Sequence, residues 1–331
     1  MNILFLQQKS YFSELGIEFE GCESTFGCIF TFKLTAYLKK FDLIVSCLEH
    51  DKSAREVINF ANAIGIPTVF LMDGIYDDAN AKKNPLLKSM NIDFFSPCIY
   101  SNVFLLNNSF KNYLENEFDT RCFLYTPKRA RLIIDDTTKK NGFLITTAIT
   151  PYFNNAEFNV LIVWIKRLLV DLQDLDLKFF ARIFDEKILK EIPELKGCNN
   201  TFESLSTAIS RSNGVICTPS TVLHSANLYG FKTMVLNYRG GSTYFDCDYD
   251  IKDLIQLKTS LSTMSFSHSK DARYIWSSIN LKDYTYHKRN GVETKWKGLY
   301  INIGYIQRLI YNSLPKRMRC KIKDTLTKKV I

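Results

Sequence analysis

Two short apolar runs, Asp42-Leu43-Ile44-Val45-Ser46-Cys47-Leu48 and Thr68-Val69-Phe70-Leu71, flank a single helical segment. Neither run alternates as a half-exposed strand would, and neither is long enough for a buried helix. A strand that is apolar on both faces belongs inside a parallel sheet covered by helices on both sides. Between the runs, Ser53 is placed to cap a helix, and Glu56 completes a capping box. Gly65 and Pro67 mark its end near Ile64. The same grammar surrounds this unit. A strand is expected over Ile3–Leu6, another over Asn102–Leu106, a helix near Phe110–Glu117 and a short strand over Phe123–Tyr125.

The polar stretch 127–141 interrupts this series and reads as a linker. A second alternating series follows. Strands are expected at Phe143–Thr147, Leu177–Ile183, Gly214–Cys217 and Thr233–Leu236. Helices are expected at Ala156–Leu172, Thr201–Arg211 and Pro219–Tyr229. The serine-rich stretch 258–271 reads as a loop and Gly298–Ser313 as a helix. The chain of 331 residues is long enough for two domains. The expected divisions are 1–135, 142–297 and a C-terminal piece 298–331. No internal repeat is visible. In α/β folds of this kind ligands sit at the C-terminal ends of the parallel strands. That directs attention to the loops after Leu71, Thr147, Ile183, Cys217 and Leu236.

Apolar residues make up 46% of the chain, which excludes a disordered protein or a small disulfide scaffold. Its longest apolar stretches, such as Val160–Ile165, are far too short to span a bilayer. The N-terminus has no basic region or cleavage site and reads as a first strand. Nine scattered cysteines without a CxxC, and four separated histidines, point to reduced thiols in a cytoplasmic protein and to no metal site. Net charge is +9, and six of these charges lie in the last 18 residues. There Met318, Ile322 and Leu326 share one helical face among lysines. A basic amphipathic helix over 314–331 is expected to sit on an anionic membrane surface, at the inner face of the cell membrane. No nucleic-acid reader motif accompanies the charge.

The most informative stretch is Gly214-Val215-Ile216-Cys217-Thr218-Pro219-Ser220-Thr221-Val222-Leu223-His224, running on to Gly230. A buried strand ends at Cys217. Thr218 suits an N-cap, Pro219 the first helical position and Gly230 the left-handed residue after the helix. Free N–H groups at such a helix start attract anions. Strand–Thr-x-Ser-Thr-helix-Gly, continuing to Val235-Leu236, resembles the donor-binding half of GT-B glycosyltransferases, strongly over about 30 residues and loosely over Phe143–Arg239. The resemblance implies two facing Rossmann-like αβα domains. It also implies phosphate contacts from Thr218, Ser220 and Thr221, with His224 facing the donor's sugar or ribose. Phe179-Phe180-Ala181-Arg182-Ile183-Phe184-Asp185-Glu186 stands where related polysaccharide transferases carry an Arg-x-His-Pro-x-Glu run. Arg182 and Glu186 agree with that run and the His-Pro is absent, so Arg182 is a phosphate candidate or a surface ion-pair residue. The loop Thr146-Thr147-Ala148-Ile149 would line the donor pocket through Thr147, unless it is a plain strand-to-helix turn. Arg239, beside the Gly240-Gly241 pair, would meet phosphate or an acidic sugar.

Inverting sugar transfer needs a base for the acceptor hydroxyl, retaining transfer needs none in that place, and the sequence is compatible with either. Asp73, in Met72-Asp73-Gly74, is the first choice and His50, in Glu49-His50-Asp51, the second. Asp-Gly is also an ordinary turn, and a lone His is also an ordinary packing residue. Asp246-Cys247-Asp248-Tyr249-Asp250 lacks the Gly and terminal Glu of a calcium loop and reads as a solvated turn. The resemblance implies metal-independent transfer from a nucleotide sugar to a glycan or lipid-linked acceptor in bacterial surface polysaccharide (O-antigen or capsule) synthesis. A polysaccharide pyruvyl- or polyol-phosphate transferase, or a non-enzymatic nucleotide- or sugar-binding protein, would share the architecture.

Overall fold

The computed structural model describes residues 1–27, 30–31, 34–135, 140–266, 279–289 and 300–301. Of the expected helix at 298–313 only two residues are described, and Tyr300–Ile301 is a strand paired antiparallel with Phe30–Thr31 rather than a helical turn; the rest of that segment and the basic tail 314–331 lie outside these residues.

Eleven of its strands form two parallel sheets. In the first, the order from edge to edge is Glu23–Phe26, Asn2–Phe5, Leu43–Ser46, Thr68–Leu71, Asn102–Leu105 and Arg121–Leu124. In the second it is Phe179–Arg182, Phe143–Thr146, Gly214–Cys217, Lys232–Leu236 and Tyr249–Ile251. Every pair in both sheets is parallel. The two sheets make two Rossmann-like αβα units, the GT-B class of architecture.

The apolar runs are central strands for the reason their composition gives. Leu43–Ser46, Thr68–Leu71, Asn102–Leu105, Phe143–Thr146 and Gly214–Cys217 are buried at every position. Successive residues face opposite layers. Leu4 and Ile44 join the core on one side of the first sheet, and Ile3, Phe5, Leu43 and Val45 the core on the other. In the second sheet Phe143 and Ile145 face the long helix Asn155–Asp174, while Leu144 faces the opposite core.

Several local expectations need correction. Asp51, not Ser53, caps the helix Lys52–Ala63, because its carboxylate accepts from Ala54 N at 3.2 Å. The helix after Cys217 runs over Thr221–Leu228 with Ser220 as its cap. Thr218 and Pro219 precede it. Gly230 has φ +82° and holds the expected left-handed position. The helix expected over Thr201–Arg211 shrinks to Leu205–Ser210, capped by Ser204, and Glu203 stays outside it in an ion pair with Arg211. Residues 257–266 are helical because Leu257, Leu261 and Met264 share one buried face, so that part of the serine-rich stretch is not a loop. The aspartate run at 246–250 is not a solvated turn. Tyr249–Ile251 is an edge strand, and the Asp248 carboxylate accepts from Thr233 N at 2.9 Å.

The chain also returns to its beginning. Ile279 pairs with Ile17, Asn102 exchanges two hydrogen bonds with the His287 backbone, and Arg289 reaches the Asp119 and Cys98 carbonyls. Residues 279–289 therefore pack on the first unit, although the expected division at 142–297 grouped them with the second.

Candidate functional site

Both sheets have the edge order in which the chain reverses direction beside its first strand, and ligands bind in the crevice such a reversal opens. In the second sheet this point lies between Phe143–Thr146 and Gly214–Cys217. The Thr218 hydroxyl is fully buried there and accepts from Ala148 N at 2.8 Å. It ties the two diverging loops together and so fixes the mouth between them.

A pocket of about 650 Å³ opens at that mouth. Thr147, Ala148 and Ile149 line one wall, and Ser220, Thr221 and Ser225 line the wall made by the start of the helix Thr221–Leu228. The positive end of that helix's dipole lies at the pocket, with Val222 N and Leu223 N already bonded to Ser220. Two guanidinium groups add to it. Arg182 projects from the end of its strand, stacks 4.7 Å from the Phe184 ring and donates from Nε to the Glu203 carbonyl at 3.1 Å. No carboxylate pairs with it among the described residues, and partial burial draws its pKa down from the usual arginine range. Arg129 enters from the segment that connects the two sheets. The apolar rim is exposed at Ile149 and Phe184.

A second pocket, of about 140 Å³, lies at the C-terminal ends of the first sheet's central strands. Glu49, His50, Asp73, Asp77 and Tyr76 contribute polar groups, and Phe70, Phe94 and Phe95 contribute flat apolar walls. Glu49 is buried and contacts the Arg55 guanidinium. Burial pushes its carboxyl up to about 7 against the opposing pull of Arg55. His50 is exposed at the rim. Asp73 is exposed as well and pairs with Arg129, Nη1 to Oδ2, at 3.0 Å.

The two pockets meet at the turn Asp73-Gly74-Ile75. Ile75 N donates to Thr221 Oγ1 at 3.3 Å, across the junction of the units. The junction is also held by Lys83 Nζ on the Arg239 carbonyl at 2.6 Å, by Ser242 N on Asp78 at 3.1 Å and by a backbone bridge between Asp77 and Thr243.

Of the residues expected on the donor side, the structure brings together Thr147, Arg182, Ser220 and Thr221. It sets three others apart. Thr218 lies beneath the pocket wall. His224 is buried and does not line the pocket, because one residue further along the helix, Ser225, holds the inward position. Arg239 is enclosed at the junction of the units. Its Nη2 meets Asp77 Oδ2 at 2.6 Å and its guanidinium lies over Phe153, so it is not held toward a phosphate. Asp73 and His50 both reach the smaller pocket. Local pattern does not single out Arg129 or Glu49: Arg129 stands in the polar stretch 127–141, and the burial that marks Glu49 comes only from tertiary packing.

Among the described residues no three His, Cys, Asp or Glu side chains are placed to hold a metal ion. Among the same residues no helix is long and apolar enough to cross a membrane.

No protein-family model matches the chain, and no curated protein sequence matches it. Several solved structures are similar to it in part. A UDP-GlcNAc 2-epimerase from Methanocaldococcus jannaschii superposes at a TM-score of 0.49 and 12% identity, over 94% of this chain and 100% of that one. The spinosyn forosaminyltransferase SpnP gives 0.43 and 12%, over 80% of this chain and 90% of that one. The pneumococcal O-GlcNAc transferase GtfA gives 0.41 and 12%, over 70% of this chain and 51% of that one. At such identities and scores, nothing about chemistry passes from these proteins to this chain.

Proposed function

We propose that the protein is a glycosyltransferase that takes a sugar from a nucleotide-sugar donor and delivers it to a glycan hydroxyl. One observation carries this reading. A large pocket with two arginines and a helix N-terminus opens beside a smaller pocket that combines carboxylates with aromatic walls.

The larger pocket suits a nucleoside diphosphate. Arg182 and Arg129 offer planar forks that fit phosphate oxygens, and the positive end of the helix dipole completes the cradle. The exposed Phe184 ring offers flat contact, and Ile149 apolar contact, to a base or ribose. Charge that develops on the departing diphosphate is met by these groups without a metal ion. The smaller pocket suits a sugar ring against Phe70, Phe94 and Tyr76. Asp73 stands at the boundary between the pockets and takes the proton of the attacking hydroxyl. His50 is the second candidate for that proton. A lipid-linked acceptor, a role in surface polysaccharide synthesis and docking of 314–331 on an anionic leaflet at the cytoplasmic face belong to the same proposal, supported by the charge of that tail.

The test is binding followed by turnover. A ligand at 100 times its dissociation constant stabilises the native state by about 2.7 kcal/mol, a clear thermal shift. A panel of nucleoside diphosphates and their sugars should give such a shift with one nucleotide class, lost in Arg182→Ala. Nuclear magnetic resonance of the incubated donor then shows either release of nucleotide with sugar transfer or hydrolysis, as proposed, or an epimerised donor, which would reject transfer. No shift with any nucleotide would reject the donor pocket.

A further inference from the structure

Arg129 links the two pockets. It lines the larger one, while its ion-pair partner Asp73 lines the smaller one. The side chains are 50% and 57% exposed, so water screens the pair and its partners exchange easily. The turn that carries Asp73 is fitted closely to this guanidinium. A β-carbon on Gly74 would stand 2.9 Å from Arg129 Nη2 and would collide with Thr221 Oγ1. The next residue, Ile75, is hydrogen-bonded to that same Thr221 on the wall of the larger pocket. An anion seated between Arg182, Thr221 and Arg129 therefore competes with Asp73 for a single guanidinium, and a phosphate matches its fork at least as well as a carboxylate does.

We infer that Arg129 couples the two pockets: phosphate bound in the larger pocket draws its guanidinium away from Asp73 and leaves Asp73 as an unpaired carboxylate in the smaller one. The inference rests on the reading of the larger pocket as a diphosphate site. Asp73 freed of its cation has both oxygens open to accept a hydrogen bond from an acceptor hydroxyl. Donor binding thus comes first and prepares the acceptor side, with Arg129 acting on Asp73 as a positioning residue.

The experiment is a double-mutant cycle read by calorimetric titration of the full chain. The probes are UDP and inorganic pyrophosphate, and the variants are Asp73→Asn, Arg129→Ala and the pair. Both side chains are half exposed, and Arg129→Lys, which keeps the charge without the fork, provides a second variant. Arg129→Ala should weaken both probes by about tenfold or more, as expected for a lost charged hydrogen bond. Asp73→Asn should tighten them about two- to fivefold, the scale of an exposed ion pair. That gain should vanish in the Arg129→Ala background. An equal gain in both backgrounds would reduce the effect to charge repulsion and overturn the coupling, and so would no gain at all. UDP binding that ignores Arg129 overturns the coupling and leaves the donor reading intact. Pyrophosphate binding tightened by Asp73→Asn, with no binding of UDP, upholds the coupling and rejects the nucleotide. A wild-type chain that binds neither probe overturns both.

Discussion

The Arg239 guanidinium and the Asp77 carboxylate meet at 2.6 Å where the two αβα units touch, with side-chain exposures of only 2% and 13%. Burial raises the Asp77 carboxyl above its usual value, and the nearby arginine opposes that rise without cancelling it. Two charges withdrawn from water in this way need each other. Removing one leaves the other buried and uncompensated, which costs about 3–5 kcal/mol.

Asp77→Ala should therefore destabilise the protein by that amount, since arginine cannot shed its charge. Arg239→Met should cost less, because Asp77 can take up a proton instead. The double variant should recover much of the loss. Urea unfolding of the three variants checks the order. Additive losses would show that the pair is not a coupled unit.

Much of the fold was legible because the central strands are apolar on both faces and need no partner to announce them. The edges were not. Glu23–Phe26 is polar on its exposed positions, and Tyr249–Ile251 carries aspartates that look like turn residues until Asp248 is seen gripping the Thr233 backbone. Helix starts slipped for a related reason. Asp51, Ser53, Thr218 and Ser220 are all competent caps, and tertiary contacts decide which hydroxyl or carboxylate is used. Thr218 is drawn off to Ala148. In the candidate site, residues attached to strand ends, such as Thr147 and Arg182, could be placed from local pattern alone. Arg239 and Arg129 could not. One is claimed by Asp77 and the other sits beside Asp73, and both partners lie more than 50 residues away in sequence.

Gly74 packs where no side chain fits. Gly74→Ala should push against Thr221 Oγ1 and Arg129 Nη2 and cost about 1–3 kcal/mol, as overpacking does. Thr221→Ala removes the nearest obstacle. The double variant Gly74→Ala/Thr221→Ala should accordingly be more stable than Gly74→Ala alone, although Thr221→Ala also deletes the bond from Ile75 N. Thermal unfolding of the four proteins decides this. A double variant less stable than Gly74→Ala would mean that the clash is relieved elsewhere.

Arg182 separates fork recognition from simple charge. Its Nε is already committed to the Glu203 carbonyl, which leaves the two Nη groups of this pocket-lining side chain for a ligand. Arg182→Ala should weaken nucleoside diphosphate binding about tenfold or more. Arg182→Lys should restore only part of it, because an ammonium cannot reproduce the planar fork. Full recovery with lysine, measured by the same titration, would assign Arg182 a merely electrostatic role.

Glu49 gives the protein a stability signature in pH. Its folded-state pKa of about 7 lies above the ordinary carboxyl value of 4.5 because burial disfavours the charge more than Arg55 supports it. Between those values the native state holds a proton that the unfolded chain has released. Stability must then fall as pH rises through this window, since the native state binds more protons. Glu49→Gln removes the titration, at the cost of the charge shared with Arg55. Relative to wild type, the variant should gain about 3 kcal/mol between pH 4.5 and pH 8, whatever its offset at either end. Urea midpoints at four pH values across that range measure the difference directly. Parallel curves for the two proteins would mean that Glu49 is ionised throughout, held by Arg55 as an ordinary ion pair.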